Sequence, residues 1–204
     1  YLKAYRVFNA EQIDGLPAEY YGTPAEPARD LGTEADPALD AFFAATGADI
    51  RTSDEPQAYY SPAEDYVHMP PIATFHSAAG YYATLAHEAT HWTAMPHRVG
   101  RDLSRYAKDR SERAREELIA EVGSCFLSAD LGIAPELEPR PDHVDYLASW
   151  LAVLHDDRRA IFSAAAHAQR AVAYLHRLQQ AGLCARRGPV DLIRQQEVGE
   201  HRAL

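Results

Sequence analysis

The 204-residue sequence is poor in cysteine and contains no long apolar run. Its two cysteines are too few for a disulfide framework. Cys125 and Cys184 each fall in a helical apolar pattern, so we expect both to be buried as small hydrophobic residues. No stretch approaches the roughly 18 apolar residues that a transmembrane helix needs, and residues 1–6 lack the order of a signal peptide. The sequence therefore predicts a cytoplasmic protein with no membrane partner.

Positive charge is scarce in the first third of the chain. The whole sequence has 20 Lys and Arg against 30 Asp and Glu, a net charge of -10. Residues 11–65 hold 13 acidic side chains and 2 basic ones, so the remainder is close to neutral. Nucleic-acid binding depends on Lys and Arg that neutralise phosphates, so we expect this chain not to bind DNA directly. Single-stranded DNA would be bound only through a domain that the chain lacks.

The first half of the chain predicts short strands and loops, because apolar residues come in short runs separated by Pro and Gly. The predicted elements are a strand at residues 5–9, an acidic loop from 15 to 37, a helix from 37 to 47, and a hairpin with strands at 58–60 and 66–69. The second hairpin strand directly precedes a helix, and we expect it to be a sheet edge along which a peptide substrate could lie.

From residue 77 onward, apolar residues recur every three or four positions, which predicts helices. The four predicted helices span residues 77–95, 111–131, 141–155 and 157–181, with Pro96, Gly132 and Gly182 as stops. Residues 184–204 are polar and are interpreted as a C-terminal tail. Strands followed by helices predict an α+β domain over residues 1–183, a small N-terminal sheet followed by a helical bundle.

The first of these helices carries the run His87-Glu88-Ala89-Thr90-His91. Residues four apart share a helix face, so the two imidazoles point at one place and Glu88 lies beside them. Zinc accepts neutral imidazole nitrogens in a tetrahedral shell, and catalytic sites keep one position for water. Mn²⁺ or another divalent ion is the alternative occupant. The competing interpretation is two surface histidines on an amphipathic helix.

A third ligand is needed, and the next helix offers Glu117 and Glu121 on one face among apolar neighbours. Buried carboxylates are costly unless they meet a metal or a hydrogen-bond donor. We assign Glu117 as the third ligand and Glu121 as the acceptor that orients an imidazole, although the order could be reversed. An exposed face paired with Arg113 or Arg115 is the alternative. A third histidine at His97 is disfavoured because a proline immediately precedes it.

This ligand set predicts peptide hydrolysis without a covalent intermediate. Zinc would lower the pKa of a water and polarise the scissile carbonyl, while Glu88 accepts the proton and delivers it to the leaving amine. The substrate would be a protein or peptide. An oxyanion-stabilising group is expected, and the sequence leaves four possibilities open: Tyr81, Tyr82, His155 and His167.

Several ordered blocks surround the histidine motif. They are Tyr5-Arg6-Val7-Phe8-Asn9, Tyr59-Tyr60-Ser61-Pro62, Tyr81-Tyr82-Ala83-Thr84-Leu85-Ala86 leading into the motif, Glu116-Glu117-Leu118-Ile119-Ala120-Glu121, and Tyr146-Leu147-Ala148-Ser149-Trp150-Leu151. Together, over residues 3–175, they resemble the zincin-like metallopeptidase domain of ArdC-type antirestriction proteins and of the related TraC-type plasmid primases.

The resemblance implies a metal held by His87, His91 and a glutamate of the 116–121 block, with Glu88 catalytic. It also implies an upstream single-stranded-DNA-binding domain, carriage on plasmids or phages, and protection of incoming DNA. The chain opens without a methionine, so we expect it to be a piece of a longer protein. The alternative function is a zinc-stabilised interaction module that supports the DNA-binding domain with little proteolysis. An intact Glu88 favours the enzyme.

Overall fold

The computed structural model describes residues 29–106, 108–134, 150–151, 153–155 and 157–200, with side chains up to residue 184. Its elements are α1 (Pro37–Ala45), β1 (Ile50–Thr52), β2 (Tyr59–Ser61), β3 (Tyr66–Met69), a 3₁₀ turn (Ile72–Thr74), α2 (Ala78–Trp92), α3 (Arg110–Leu131) and α4 (Ala160–Glu200). The predicted strand at residues 5–9 and most of the helix predicted at 141–155 lie outside the described residues. A small sheet followed by helices confirms the predicted α+β class.

The three strands form one sheet in the order β1-β3-β2. β3 pairs in parallel with β1 and antiparallel with β2, so Val67 faces Ile50 on one side and Tyr60 on the other. The prediction that Tyr66–Met69 forms a sheet edge is therefore wrong, because both of its sides are hydrogen-bonded. Among the described strands, β1 and β2 are the edges.

The core lies between the inner face of the sheet and the helices. Val67 and Met69 of β3 are fully buried and belong to the same apolar cluster as Tyr82 of α2, Leu127 of α3 and Leu175 of α4. α2 is therefore enclosed by the sheet and by two longer helices. This placement makes α2 a rigid support for the polar side chains that it carries.

Local signals set the ends of α2 and α3. The Ser77 hydroxyl accepts a hydrogen bond from the backbone of Gly80 at the start of α2, and the Asp109 carboxylate caps α3 in the same way. α3 ends at Gly132, whose φ of 70° is a left-handed conformation that glycine adopts at low cost. The predicted stop at Gly132 is confirmed.

The predicted helix end at Gly182 is wrong, since α4 continues to Glu200 and includes much of the predicted tail. A Cβ on Gly182 would lie 2.7 Å from the backbone oxygen of Ala45. The glycine therefore permits close passage of α4 past α1 and does not terminate the helix. Cys125 and Cys184 are both exposed, which contradicts the predicted burial. Cys125 occupies the outer face of α3, while Ser124 and Leu127 are turned inward.

Candidate metal centre

Three side chains from α2 and α3 converge on one point. The Nε2 atoms of His87 and His91 lie 3.2 Å apart. Glu117 Oε2 lies 3.4 Å from the first nitrogen and 3.7 Å from the second. Tetrahedral coordination with bonds of about 2.0 to 2.1 Å separates neighbouring ligand atoms by about 3.3 to 3.4 Å. His87, His91 and Glu117 therefore have the chemistry and spacing to hold a zinc-like divalent ion.

The outer nitrogen of each imidazole faces a carboxylate. His87 Nδ1 lies 3.2 Å from Glu121 Oε2, and His91 Nδ1 lies 3.0 Å from Glu116 Oε1. A donor–acceptor contact at Nδ1 turns the Nε2 lone pair toward the shared point. The sequence had singled out Glu121 for such a contact, and the structure brings it to His87. The contact of Glu116 with the other histidine was missed.

The contacts among these side chains shift their pKa values in opposite directions, upward for the two histidines and downward for the glutamate. Burial lowers the pKa of His91, but hydrogen bonds with Glu116 and Glu117 outweigh it and raise this pKa above its ordinary value. The pKa of His87 is raised in the same way, against burial, by Glu117 and Glu121. Burial raises the pKa of Glu117, but its contacts with the two histidines lower it overall. A cation that binds here would compete with protons for the two imidazole nitrogens.

Two residues of the loop between α2 and α3 complete the surroundings of the ligands. The Tyr106 hydroxyl donates a hydrogen bond to Oε1 of Glu117, the oxygen turned away from the histidines. The Arg101 guanidinium donates to both oxygens of Glu116, at 2.7 Å from Nη2 and 3.0 Å from Nε. Neither residue is predictable from the sequence pattern, because an irregular loop has no periodicity that indicates where its side chains point.

A cavity of about 840 Å³ opens in front of the convergent ligands. Glu88 lies on its wall beside the two histidines and is only 8% exposed. Much of the remaining wall is formed by aromatic and prolyl residues, namely Pro56, Tyr59, Tyr60, Pro62, Pro70, Phe75, Tyr106 and Trp150. The carboxylate thus lies where it can reach a water or substrate held in the cavity.

The other residues proposed from sequence lie elsewhere. Tyr82 is buried in the core and donates to the Asp40 carboxylate, while Tyr81 packs edge-on against Phe75. His97 and His155 are exposed, and His167 contacts Arg170 on α4. Among the described residues, none of the four proposed oxyanion groups lines the cavity.

A small sheet, an enclosed helix bearing two histidines and a carboxylate from the following helix define a zincin-like domain. Residues 37–167 match the family model for the zincin-like metallopeptidase called MPTase-PolyVal, and the chain belongs to this family. The predicted zincin-like fold and the predicted family resemblance are confirmed by this match and by the structural similarities below.

Two crystal structures of the antirestriction protein ArdC from plasmid R388 are similar to this chain. The metal-free structure is 60% identical with a TM-score of 0.65, and covers 89% of this chain and 62% of the ArdC chain. The Mn(II)-bound structure is 57% identical with a TM-score of 0.58, over 88% of this chain and 64% of that one. A divalent ion is therefore a bound component in a close structural relative, which supports the predicted metal cofactor.

Curated relatives are longer than this chain. A protein called y4eC from Sinorhizobium fredii is 41% identical over 88% of this chain and 55% of its own length. A DNA primase TraC from Escherichia coli is 40% identical over 80% of this chain but only 14% of its own length. The chain thus corresponds to one part of these proteins. Within the described residues, every helix is too short or too polar to span a bilayer.

Proposed function

We propose that this chain is the catalytic domain of a metal-dependent peptidase in a mobile-element protein that protects incoming DNA. The observation that carries the proposal is the position of Glu88, nearly buried on the cavity wall beside the side chains that could hold an ion. A purely structural metal site has no need for a carboxylate there. The similarity to the plasmid antirestriction protein ArdC supports the wider setting.

In this proposal His87, His91 and Glu117 hold the ion, with zinc as the expected metal and Mn²⁺ as the alternative. A divalent ion at such a site lowers the pKa of a water and polarises a carbonyl. Glu88 accepts the proton of the attacking water and returns it to the leaving amine. Glu121 and Glu116 hold the two imidazoles, and Tyr106 holds the non-ligating oxygen of Glu117.

The sheet geometry suggests how a peptide would reach the site. Among the described strands β2 is an edge, and its residues Tyr59 and Tyr60 line the same cavity as the two histidines. An extended peptide can add to a free strand edge through backbone hydrogen bonds. β2 therefore replaces β3 as the strand that we expect to align a protein substrate. Single-stranded DNA would be bound by another part of the full protein, in the cytoplasm of the host.

Glu88→Gln tests the proposal, because glutamine keeps the size of the side chain but cannot take up the proton. The metal-loaded chain is incubated with a peptide library, and new termini are counted by mass spectrometry. We expect cleavage by the wild type to fall by about 10² to 10⁴-fold in Glu88→Gln, with ion content unchanged. The exposed Glu34→Gln is the matched control. Unchanged product yields, or no cleavage by ion-loaded wild type, would instead support an interaction module.

A further inference from the structure

Arg101 is an arginine buried beside the metal centre. It is 8% exposed, and the glutamate that it contacts, Glu116, is 5% exposed. Charged groups of this kind are costly to bury unless every donor and acceptor is paired. The pair is held by three contacts, from Arg101 Nη2 and Nε to the two carboxylate oxygens.

Two further hydrogen bonds anchor the Arg101 guanidinium to the end of α2. Nη2 also donates to the backbone oxygen of Thr90 at 2.7 Å, and Nη1 donates to Thr93 Oγ1 at 2.9 Å. The backbone amide of Arg101 itself donates to Ala94 O at 2.8 Å. The guanidinium is therefore fixed in position and orientation by the helix that carries His91.

These contacts close a ring that passes through the two helices of the site. From the end of α2 the ring runs through Arg101 to Glu116 on α3, and returns to α2 through the 3.0 Å contact with His91 Nδ1. The planar guanidinium of Arg101 holds the Glu116 carboxylate through two of its nitrogens, so this carboxylate cannot move with a rotating imidazole. It therefore confines the His91 ring to one orientation. In that orientation Nε2 points at His87 and Glu117.

The two histidines are supported differently. The side chain of Glu116, which contacts His91, is 7% exposed, whereas that of Glu121, which contacts His87, is 20% exposed. Arg101 contacts the more deeply buried of these two carboxylates, that of Glu116. His91 therefore faces a carboxylate that is both deeply buried and held by Arg101.

We propose that Arg101 is a positioning residue of the metal centre, which fixes Glu116 so that His91 presents Nε2 to the ion. Arg101 is not one of the described residues that line the cavity, and its hydrogen bonds run to Glu116 and to the end of α2, so it would act on His91 through Glu116. The proposal rests on the ion site of the proposed function, but it does not require peptidase activity.

The test compares ion affinity in Arg101→Met, Arg101→Lys and Thr93→Val, with Arg105→Met as control. Arg105 belongs to the same loop, and its side chain is 66% exposed and paired with Asp109. Affinity for Zn²⁺ and Mn²⁺ is measured by competition with a chelator on the full chain. We expect Arg101→Met to weaken binding by about 10 to 100-fold, as loss of an outer partner of a ligand does. The ion affinity of Arg101→Lys should lie between those of the wild type and Arg101→Met, and the ion affinity of Arg105→Met should match that of the wild type.

Thr93→Val keeps the shape of its side chain while removing one anchor of the guanidinium, so it tests the proposal even if Arg101→Met does not fold. It should weaken binding by less than Arg101→Met. In the Zn²⁺-loaded protein, the Nδ1–H proton of His91 should give a slowly exchanging NMR signal that disappears in Arg101→Met. A purely structural arginine would lower the melting temperature without changing these two readouts.

Unchanged ion affinity in folded Arg101→Met or Arg101→Lys would overturn the proposal, as would equal effects of Arg105→Met. Absence of ion binding by the wild type would overturn it together with the proposed site. Failure of peptide cleavage by a wild type that binds the ion would contradict the proposed activity alone. In that case the affinity series still decides the role of Arg101.

Discussion

Gly123 of α3 lies directly against Thr90 of α2, with no room for a side chain between the two helices. A Cβ on Gly123 would be 2.6 Å from Thr90 Oγ1 and 2.7 Å from Thr90 Cγ2. One residue further on, the Ser124 hydroxyl donates to the backbone oxygen of Ala83 at 2.6 Å. This crossing is what brings the carboxylates of α3 within reach of the imidazoles of α2.

Gly123→Ala should therefore weaken both folding and ion binding. The added methyl group must push α3 away from Thr90, and overpacking of this kind costs about 1 to 3 kcal/mol in the free energy of unfolding. Urea unfolding with chelator present measures the first effect, and chelator competition measures the second. Cys125→Ala, on the exposed face of the same helix, is the control.

Thr90→Ala should partly rescue Gly123→Ala, because it removes both atoms with which the new methyl group collides. The double variant is expected to be more stable than the sum of the two single effects predicts, since contacting residues are not additive. Strict additivity in urea unfolding would mean that the helices do not meet at this point.

Glu117→Ala and Glu121→Ala should differ in ion content. Glu117 offers its oxygen to the shared point, so its removal should abolish stable ion binding. Glu121 contacts the outer nitrogen of His87 and is not among the three side chains that converge on the shared point, so its removal should weaken affinity by about 10 to 100-fold. Elemental analysis of the purified variants, followed by chelator competition, measures both. The reverse order of effects would make Glu121 the ligand.

Ion affinity should rise with pH. The pKa values of His87 and His91 are raised in the metal-free protein, so below those values an ion must displace protons from the imidazoles. Calorimetry in two buffers of different ionisation enthalpy should detect proton release on binding. The control is His97→Gln, which changes an exposed histidine outside the ligand group and should leave the pH profile intact. Binding that is independent of pH with no proton release would contradict this prediction.

Asp65→Asn should destabilise the protein mainly at pH values above the pKa of the Asp65 carboxylate. Arg98 donates to both oxygens of Asp65, at 2.8 and 2.6 Å, and lowers the pKa of Asp65. A lowered pKa means that the ion pair stabilises the fold above the ordinary value of 3.8 and that this contribution is lost as the pH falls through the folded-state value. The carboxylate is 35% exposed, so we expect a loss of about 1 kcal/mol at neutral pH.

Asparagine is the appropriate replacement because Asp65 has a φ of 58°, a left-handed conformation that asparagine tolerates. Urea unfolding across the acid range measures the effect. The curves of the wild type and Asp65→Asn should converge at low pH. The control Glu64→Gln, at a neighbouring and more exposed carboxylate, should follow the wild type more closely. A constant difference at every pH would show that the charge is not responsible.

The parts of the site that follow from helix geometry were accessible from sequence. The spacing of His87, Glu88 and His91 places them on one side of α2, and the spacing of Glu117 and Glu121 places them on one face of α3. Local periodicity is therefore enough to form each group. Their convergence depends on the crossing at Gly123, and no periodicity signals a crossing. That is why the sequence could propose these residues but left open which glutamate lies nearer the ion.

Features that depend on distant parts of the chain were not predictable in this way. β3 lies in the centre of the sheet although it is the last of the three strands in sequence. The reason is that β1 pairs with β3 and not with β2, which follows β1 in the chain. Gly182 was interpreted as a helix stop, but glycine serves equally well where two helices pass closely. Arg101 and Tyr106 lie in an irregular loop, so only the folded arrangement reveals that they contact Glu116 and Glu117.

The cavity is lined by three separate stretches of the chain. Most of its aromatic and prolyl residues come from residues 56–75, the ion ligands and their neighbours come from residues 84–121, and Trp150 belongs to a third segment. Under the proposed function, substrate selectivity would depend mainly on residues 56–75 and reactivity on the ligand-bearing helices, so sequence changes in the upstream segment could alter which peptides are accepted without altering the chemistry. Exchange of residues 56–62 between relatives should accordingly transfer the preference for particular peptide sequences while leaving ion binding unchanged.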